Sequence, residues 1–164
     1  SINRLKVENS WRDLGKNTDI SLNIFRLSGI YGPGRSLVDR MNAGESIVVV
    51  DRPNQLFNRV HVYDIVAITY LAMQKKLKNE VFNVSDDKPA SQVEVSEFVT
   101  RLANFPSVKR VSLDSNLISE MAKSFYLEEK KVSNKGVKSK LEYTFRFPSF
   151  NEGLKDIYET TIKV

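Results

Sequence analysis

The residues of this chain that could do chemistry gather in the stretch RLSGIYGPGR, from Arg26 to Arg35, where a strand-like run meets a glycine-rich turn ahead of a helix. Gly29, Gly32 and Gly34 permit backbone angles and close approaches that a Cβ would oppose, and Pro33 stiffens the turn between them. Open α/β sheets meet their ligands in the crevice beyond the carboxyl ends of the strands, so a turn of this kind is a place for a ligand. The same pattern also suits an ordinary loop from strand to helix. His61 is the sole histidine and cysteine is absent, which removes disulfides, thiolate zinc sites and cysteine nucleophiles together. A histidine-based metal site is not expected from one histidine. With no second partner visible for it, His61 reads as a hydrogen-bonded packing residue rather than a general base. Asp64 reads as a carboxylate at the start of a helix, satisfying free amides and the dipole there.

These residues need elements to position them. The 164 residues suffice for one domain with a real core, or for a large piece of a bigger one. Helical spacing of Val7, Trp11 and Leu14, with Gly15 as a stop, predicts an amphipathic helix over 3–14 with Trp11 in the core. Residues 20–27 form an apolar run suited to a strand covered on both faces. Leu37 and Met41 mark a short helix closed by Gly44, 47–50 a second strand and 56–62 a third. Ile65, Ile68 and Ala72 share a helix face, 81–84 is a fourth strand, and the Ser91/Glu94 capping box opens a helix carrying Val95, Phe98, Val99 and Leu102. Beyond it, 108–113 reads as a short strand, with short helices over 115–123 and over 133–141, the second capped by Ser133. Ser149 and Glu152 introduce a last helix with Phe150, Leu154, Ile157 and Tyr158 on one face. The alternation indicates an α/β domain without repeats or a dividing linker.

Composition bounds the partners. No apolar run approaches the ~20 residues that span a bilayer, and no leader opens the sequence, so a cytoplasmic location is the expectation. The net charge of +5 owes most to six lysines between Lys123 and Lys140. They are mixed with Glu128 and Glu129 and carry no groove-reading motif, so a solvated helical face is expected there rather than a nucleic-acid surface.

The order of RLKVENSW, IFRLSGIYGPGRS, FNRVHVYDIV, VFNVSDDKP, MAKSFYLEEKKVSN and FPSFNEGL resembles the carboxyl-terminal part of the extended or atypical short-chain dehydrogenase/reductase superfamily. Its NAD-dependent epimerase/dehydratase-like members are the nearest in pattern, and the likeness runs from about residue 3 to residue 158. The resemblance implies the carboxyl-terminal part of a doubly wound Rossmann-like sheet plus a substrate-binding lobe, lacking the amino-terminal dinucleotide-binding half. Residues 1–90 would supply the last strands and helices, and 91–164 mainly the lobe.

The family's pyrophosphate-binding glycine fingerprint is absent from this sequence, and its catalytic tyrosine and lysine would fall just upstream of Ser1. Tyr126 and Lys130 have the separation of that pair but belong to the lobe segment, so no catalytic residue is assigned. By position, the resemblance puts Ser28 and Gly29 near nicotinamide and substrate, as cofactor-binding residues. Arg35, Asn58 and Arg59 become substrate-binding candidates, Arg35 through a guanidinium able to pair with a carboxylate or phosphate. Nucleotide-sugar epimerases commonly carry an arginine where this chain has Phe57, a departure that weighs against a nucleotide-diphosphate sugar.

The resemblance thus implies the substrate-lobe portion of an NAD(P)-dependent oxidoreductase or sugar epimerase/dehydratase-like protein, not catalytic alone. Its expected partners are a small molecule, such as a sugar derivative, and an amino-terminal complementing chain or a second copy. The alternative is a non-catalytic binding or regulatory module derived from that fold. A basic nucleic-acid binder ranks last.

Overall fold

The computed structural model describes residues 2–127, 129 and 131–161. Helix α1 (Ile2–Asn17) leads to strands β1 (Asn23–Leu27) and β2 (Gly29–Tyr31), helix α2 (Leu37–Asn42) and strand β3 (Val48–Val50). Strand β4 (Arg59–His61) runs directly into α3 (Val62–Gln74), followed by β5 (Glu80–Val84), α4 (Gln92–Ala103) and β6 (Lys109–Val111). Helices α5 (Glu120–Ser124), α6 (Lys135–Leu141) and α7 (Phe150–Thr161) complete the order. No described helix is long and apolar enough to cross a membrane.

Every strand pair is parallel: β1 with β5, β2 with β4, and β3 with β6. Parallel neighbours require crossover connections, which is why strands and helices alternate and why the α/β expectation holds. The run that begins in β1 does not end at the glycine turn. Ser28 N donates to Val84 O at 3.0 Å, whereas Gly29 N donates to Asn58 O at 3.0 Å. The chain therefore changes partner between residues 28 and 29, leaving β5 for β4.

Two apolar clusters hold these layers. One joins Tyr31, Val38, Val49, Val95, Phe150 and Ile157, from β2, α2, β3, α4 and α7. The other joins Val60, Ile68, Phe82, Val84, Val137 and Leu141, from β4, α3, β5 and α6. Local caps set the helix starts: Ser36 and Asp39 form a reciprocal capping box on α2, and Ser91 Oγ accepts from Glu94 N at 3.0 Å on α4.

Several expectations are corrected. Helix α1 continues through Gly15 to Asn17, and Trp11 is 53% exposed rather than core. The buried contact of this helix is Gly15, where an added Cβ would lie 3.0 Å from Leu22 Cβ, so a glycine that looked like a stop is a packing point. The helix expected over 115–123 shrinks to α5, its cap being Ser119 Oγ, which accepts from Ala122 N. The cap position of α6 is Asn134, whose side chain makes no cap bond, while Ser133 Oγ accepts from Lys135 N at 3.4 Å, and Val137 and Leu141 are buried as expected. Asp64 lies in the first turn of α3 but serves a different segment. Its Oδ1 accepts from Tyr143 Oη at 2.6 Å and Arg146 N at 2.8 Å, and its Oδ2 from Phe147 N at 3.2 Å. The cap of α3 is instead His61, whose Nδ1 accepts from Tyr63 N at 3.2 Å.

Candidate functional site

Ser28, Gly29, Arg35, Asn58 and Arg59 all border one open cleft of ≈ 1370 Å³. Strand β1 reaches it at its carboxyl end through Leu27 and Ser28, and β5 through Asn83. This is the end of a parallel sheet at which ligands are met.

Each of the five makes a different kind of contribution. Ser28 is half-buried, its amide is spent on Val84, and its hydroxyl has no hydrogen-bond partner among the described residues. Gly29 lies where the chain changes partner, against the Asn58 carbonyl. Asn58 Oδ1 accepts from Val132 N at 3.0 Å, tying the segment after α5 to the approach of β4. Arg35 is exposed, and a two-way backbone bridge to Gly32 holds its main chain, with Arg35 N donating at 3.0 Å and Gly32 N at 3.3 Å. Its guanidinium has no partner among the described residues. Arg59 borders the cleft, but its head turns into the wall: Nη1 donates to Phe57 O at 3.0 Å and Ala90 O at 2.7 Å, and Nη2 is buried without a hydrogen-bond partner among the described residues.

The turn is packed at Gly32. A Cβ at Gly32 would fall 2.5 Å from Val62 Cγ1, and Gly34 has φ +74. Here Gly32 serves the close approach of α3 and Gly34 the turn geometry, with Gly34 facing open space at the cleft.

Beside this wall lies a buried polar group of residues: Tyr31, Arg59, His61 and Asp86. Burial pushes the Asp86 carboxyl up to about 7, against the opposing pull of Arg59 and nearby amides. Burial also raises the Tyr31 phenol, with the charges of Asp86 and Asp64 adding to it. The His61 imidazole is lowered by burial, partly offset by Asp64, and its ring packs against Tyr31 at 5.1 Å and Phe147 at 4.1 Å between centroids. His61 is the packing residue that its sequence context suggested.

Sequence reasoning missed the pairing across the cleft wall. Phe57 meets Tyr126 edge to face, with centroids 5.2 Å apart and planes at 81°. Phe57 is fixed by a backbone bridge to Ala90, and burial raises the Tyr126 phenol. No local signal links positions this far apart. Lys130, the other half of the apparent pair with Tyr126, lies outside the described residues. No group of three or more potential metal-ligating side chains exists among the described residues.

Against known proteins, residues 1–85 match the model of the NAD dependent epimerase/dehydratase family. A functionally unknown conserved protein from Silicibacter pomeroyi is similar at 31% identity and a TM-score of 0.84, over 93% of this chain and 53% of that one. UDP-glucose 4-epimerase from Thermotoga maritima, solved with UDP-glucose, matches at 19% identity and TM-score 0.77, over 98% of this chain and 53% of that one. dTDP-glucose 4,6-dehydratase from Bacillus anthracis, in complex with NAD, matches at 16% and 0.72, over 95% and 50%. The chain thus spans about half the length of the solved structures it matches, and it has the fold of their shared half. No curated protein matches it.

Proposed function

We propose, for a chain that belongs to the NAD-dependent epimerase/dehydratase family, that it forms the substrate side of an NAD(P)-dependent short-chain oxidoreductase or sugar epimerase/dehydratase-like enzyme. The observation that carries this reading is the convergence of Ser28, Gly29, Arg35, Asn58 and Arg59 on one cleft at the carboxyl end of a parallel strand. Residues 1–90 act as the last strands and helices of the sheet, and 91–164 mainly as the substrate lobe. A cytoplasmic location goes with this role.

Among the described residues β1 has a partner strand on one side only. That edge carries the backbone groups on which a further strand of a dinucleotide-binding half would pair. A nicotinamide cofactor, when bound, supplies hydride transfer. The residues here fit its nicotinamide end: a Ser28 hydroxyl unpartnered among the described residues and Gly29 line the cleft. Ser28 would orient the ring, Asn58 would hold the wall beside the substrate, and Arg35 would bind an acidic group on it. Proton transfer and pyrophosphate binding fall to residues outside this chain.

The test is the mass and activity of the native protein, detected with an antibody to this segment. A species well above 18.7 kDa that oxidises or reduces nicotinamide is expected. Hydride transfer with NADH or NADPH by the 164-residue chain alone would overturn the division of labour.

A further inference from the structure

We infer that the cleft accepts a small molecule with one anionic group and an aromatic body, its anion on Arg35 and its ring along Phe57 and Tyr126. This rests on the reading of the cleft as a substrate site and names the class of substrate.

The charge comes first. The described residues that line the cleft include Arg4, Arg26, Arg35, Arg40 and Arg59, and no aspartate or glutamate. Most of that positive charge is already answered from behind. Glu8 accepts from Arg26 Nε at 3.0 Å and Nη2 at 2.7 Å, and Glu45 accepts from Arg40 Nε at 2.8 Å. Arg59 Nη1 is held by two backbone carbonyls, and its Nη2 is buried. Arg4 and Arg35 are left without a partner among the described residues. Arg35 is the better anchor, because its backbone is fixed by the Gly32 bridge while Arg4 belongs to the exposed first turns of α1. One prepared guanidinium suits one carboxylate or phosphate.

The apolar wall supplies the rest. Leu56, Phe57, Ile118, Phe125 and Tyr126 line the same cleft, and Phe125 is 65% exposed. An aromatic ring laid there removes this surface from water and meets the Phe57–Tyr126 pair in the edge or offset geometry that rings prefer. The Tyr126 hydroxyl, unpartnered among the described residues, is available to a polar substituent. The two halves of the proposal are therefore independent: Arg35 selects charge, and Phe57 selects shape.

Calorimetric titration of the native protein carrying this chain, with phenyl phosphate, inorganic phosphate and UDP-glucose as probes, tests it. Phenyl phosphate is expected to bind about tenfold or more tighter than either of the others. Arg35→Gln and Phe57→Leu should each weaken it about tenfold, while Arg35→Lys retains part of the affinity. Tighter binding of UDP-glucose than of phenyl phosphate overturns the inference. So does an unchanged phenyl phosphate affinity in both the Arg35→Gln and the Phe57→Leu variants when their thermal melts match the parent. NADH affinity of the same preparation separates the two levels. Retained NADH binding without a preference for phenyl phosphate overturns the substrate class alone, and absence of NADH binding overturns the reading beneath it.

Discussion

Helices α1 and α7 carry the same kind of sequence pattern and meet the fold in opposite ways. In α7, Phe150, Gly153, Leu154 and Ile157 are buried together. In α1, Leu5, Val7, Trp11 and Leu14 remain exposed, and attachment to the sheet runs through Gly15 and through Glu8, which takes Arg26 and Arg12 in hydrogen bonds. Apolar burial holds one helix; ion pairing and a close glycine contact hold the other. Two carboxylates record the same contrast. Glu8 is held down to about 2 by its bonds to Arg26 and Arg12, whereas Asp86, in the buried half, is pushed up to about 7 by desolvation. Periodicity reports which face of a helix is apolar and says nothing of whether the cover for that face belongs to the same chain.

The largest effect should come from emptying the α7 side. Phe150 is buried, packs edge to face on Phe98 with centroids 5.5 Å apart, and belongs to the cluster that joins α2, β3 and α4. Phe150→Ala is expected to cost about 3–5 kcal/mol, read as a fall in urea midpoint at unchanged slope. A loss below about 1 kcal/mol would mean that α7 is no better anchored than α1, and the contrast would fail. Gly153 belongs to the same contact: a Cβ there would fall 2.1 Å from Tyr31 Oη, so a residue that weakens an isolated helix is what lets this one close on β2.

Asp86 sharpens the contrast through pH. Its carboxyl ionises near 7 in the folded protein and at its ordinary value of 3.8 when exposed. Between these values the folded state keeps a proton that the unfolded state has released, so folding stability falls as pH rises from about 4 to about 7 and then levels off. The loss over that window is roughly 4 kcal/mol for a shift of this size. Asp86→Asn mimics the neutral form. It should flatten this part of the stability curve and raise stability at pH 8, measured by urea unfolding across pH. Persistence of the same slope in the variant would assign the titration to another group.

How far the sequence discloses these differences depends on the distance over which each is decided. Helix α4 was legible because Ser91 and Glu94 lie three residues apart and Val95 and Val99 follow at helical spacing. Strands β1, β3, β4, β5 and β6 were legible as short runs, whereas β2 was not, because Gly29–Tyr31 reads locally as part of a glycine-rich turn. The change of partner at Ser28 was not, because Val84 and Asn58 are brought to it only by the fold. Asp64 misled for the same reason: its donors, Tyr143, Arg146 and Phe147, lie about eighty residues further on. The five candidate residues came from an ordered set of motifs, and all five border one cleft. The inward turn of the Arg59 head was hidden, since its acceptors are backbone carbonyls that the Phe57–Ala90 bridge brings together.

The smallest expected effect is the most informative about α1. Trp11 is a large aromatic residue whose burial in a core would be worth several kcal/mol, yet it is half exposed. Trp11→Ser in the 164-residue chain should therefore change stability by no more than about 0.5 kcal/mol, while the same substitution at a core aromatic would unfold much of the protein. Tryptophan emission gives the companion reading in the unsubstituted chain, because Trp11 is the only tryptophan: a solvent-exposed maximum is expected for the chain alone. A blue shift on joining the rest of a dinucleotide-binding half would show that the apolar stripe of α1 is covered by residues outside this chain. A blue-shifted maximum in the chain alone, together with a loss of several kcal/mol in Trp11→Ser, would place a cover for α1 within these residues and remove the distinction between the two helices.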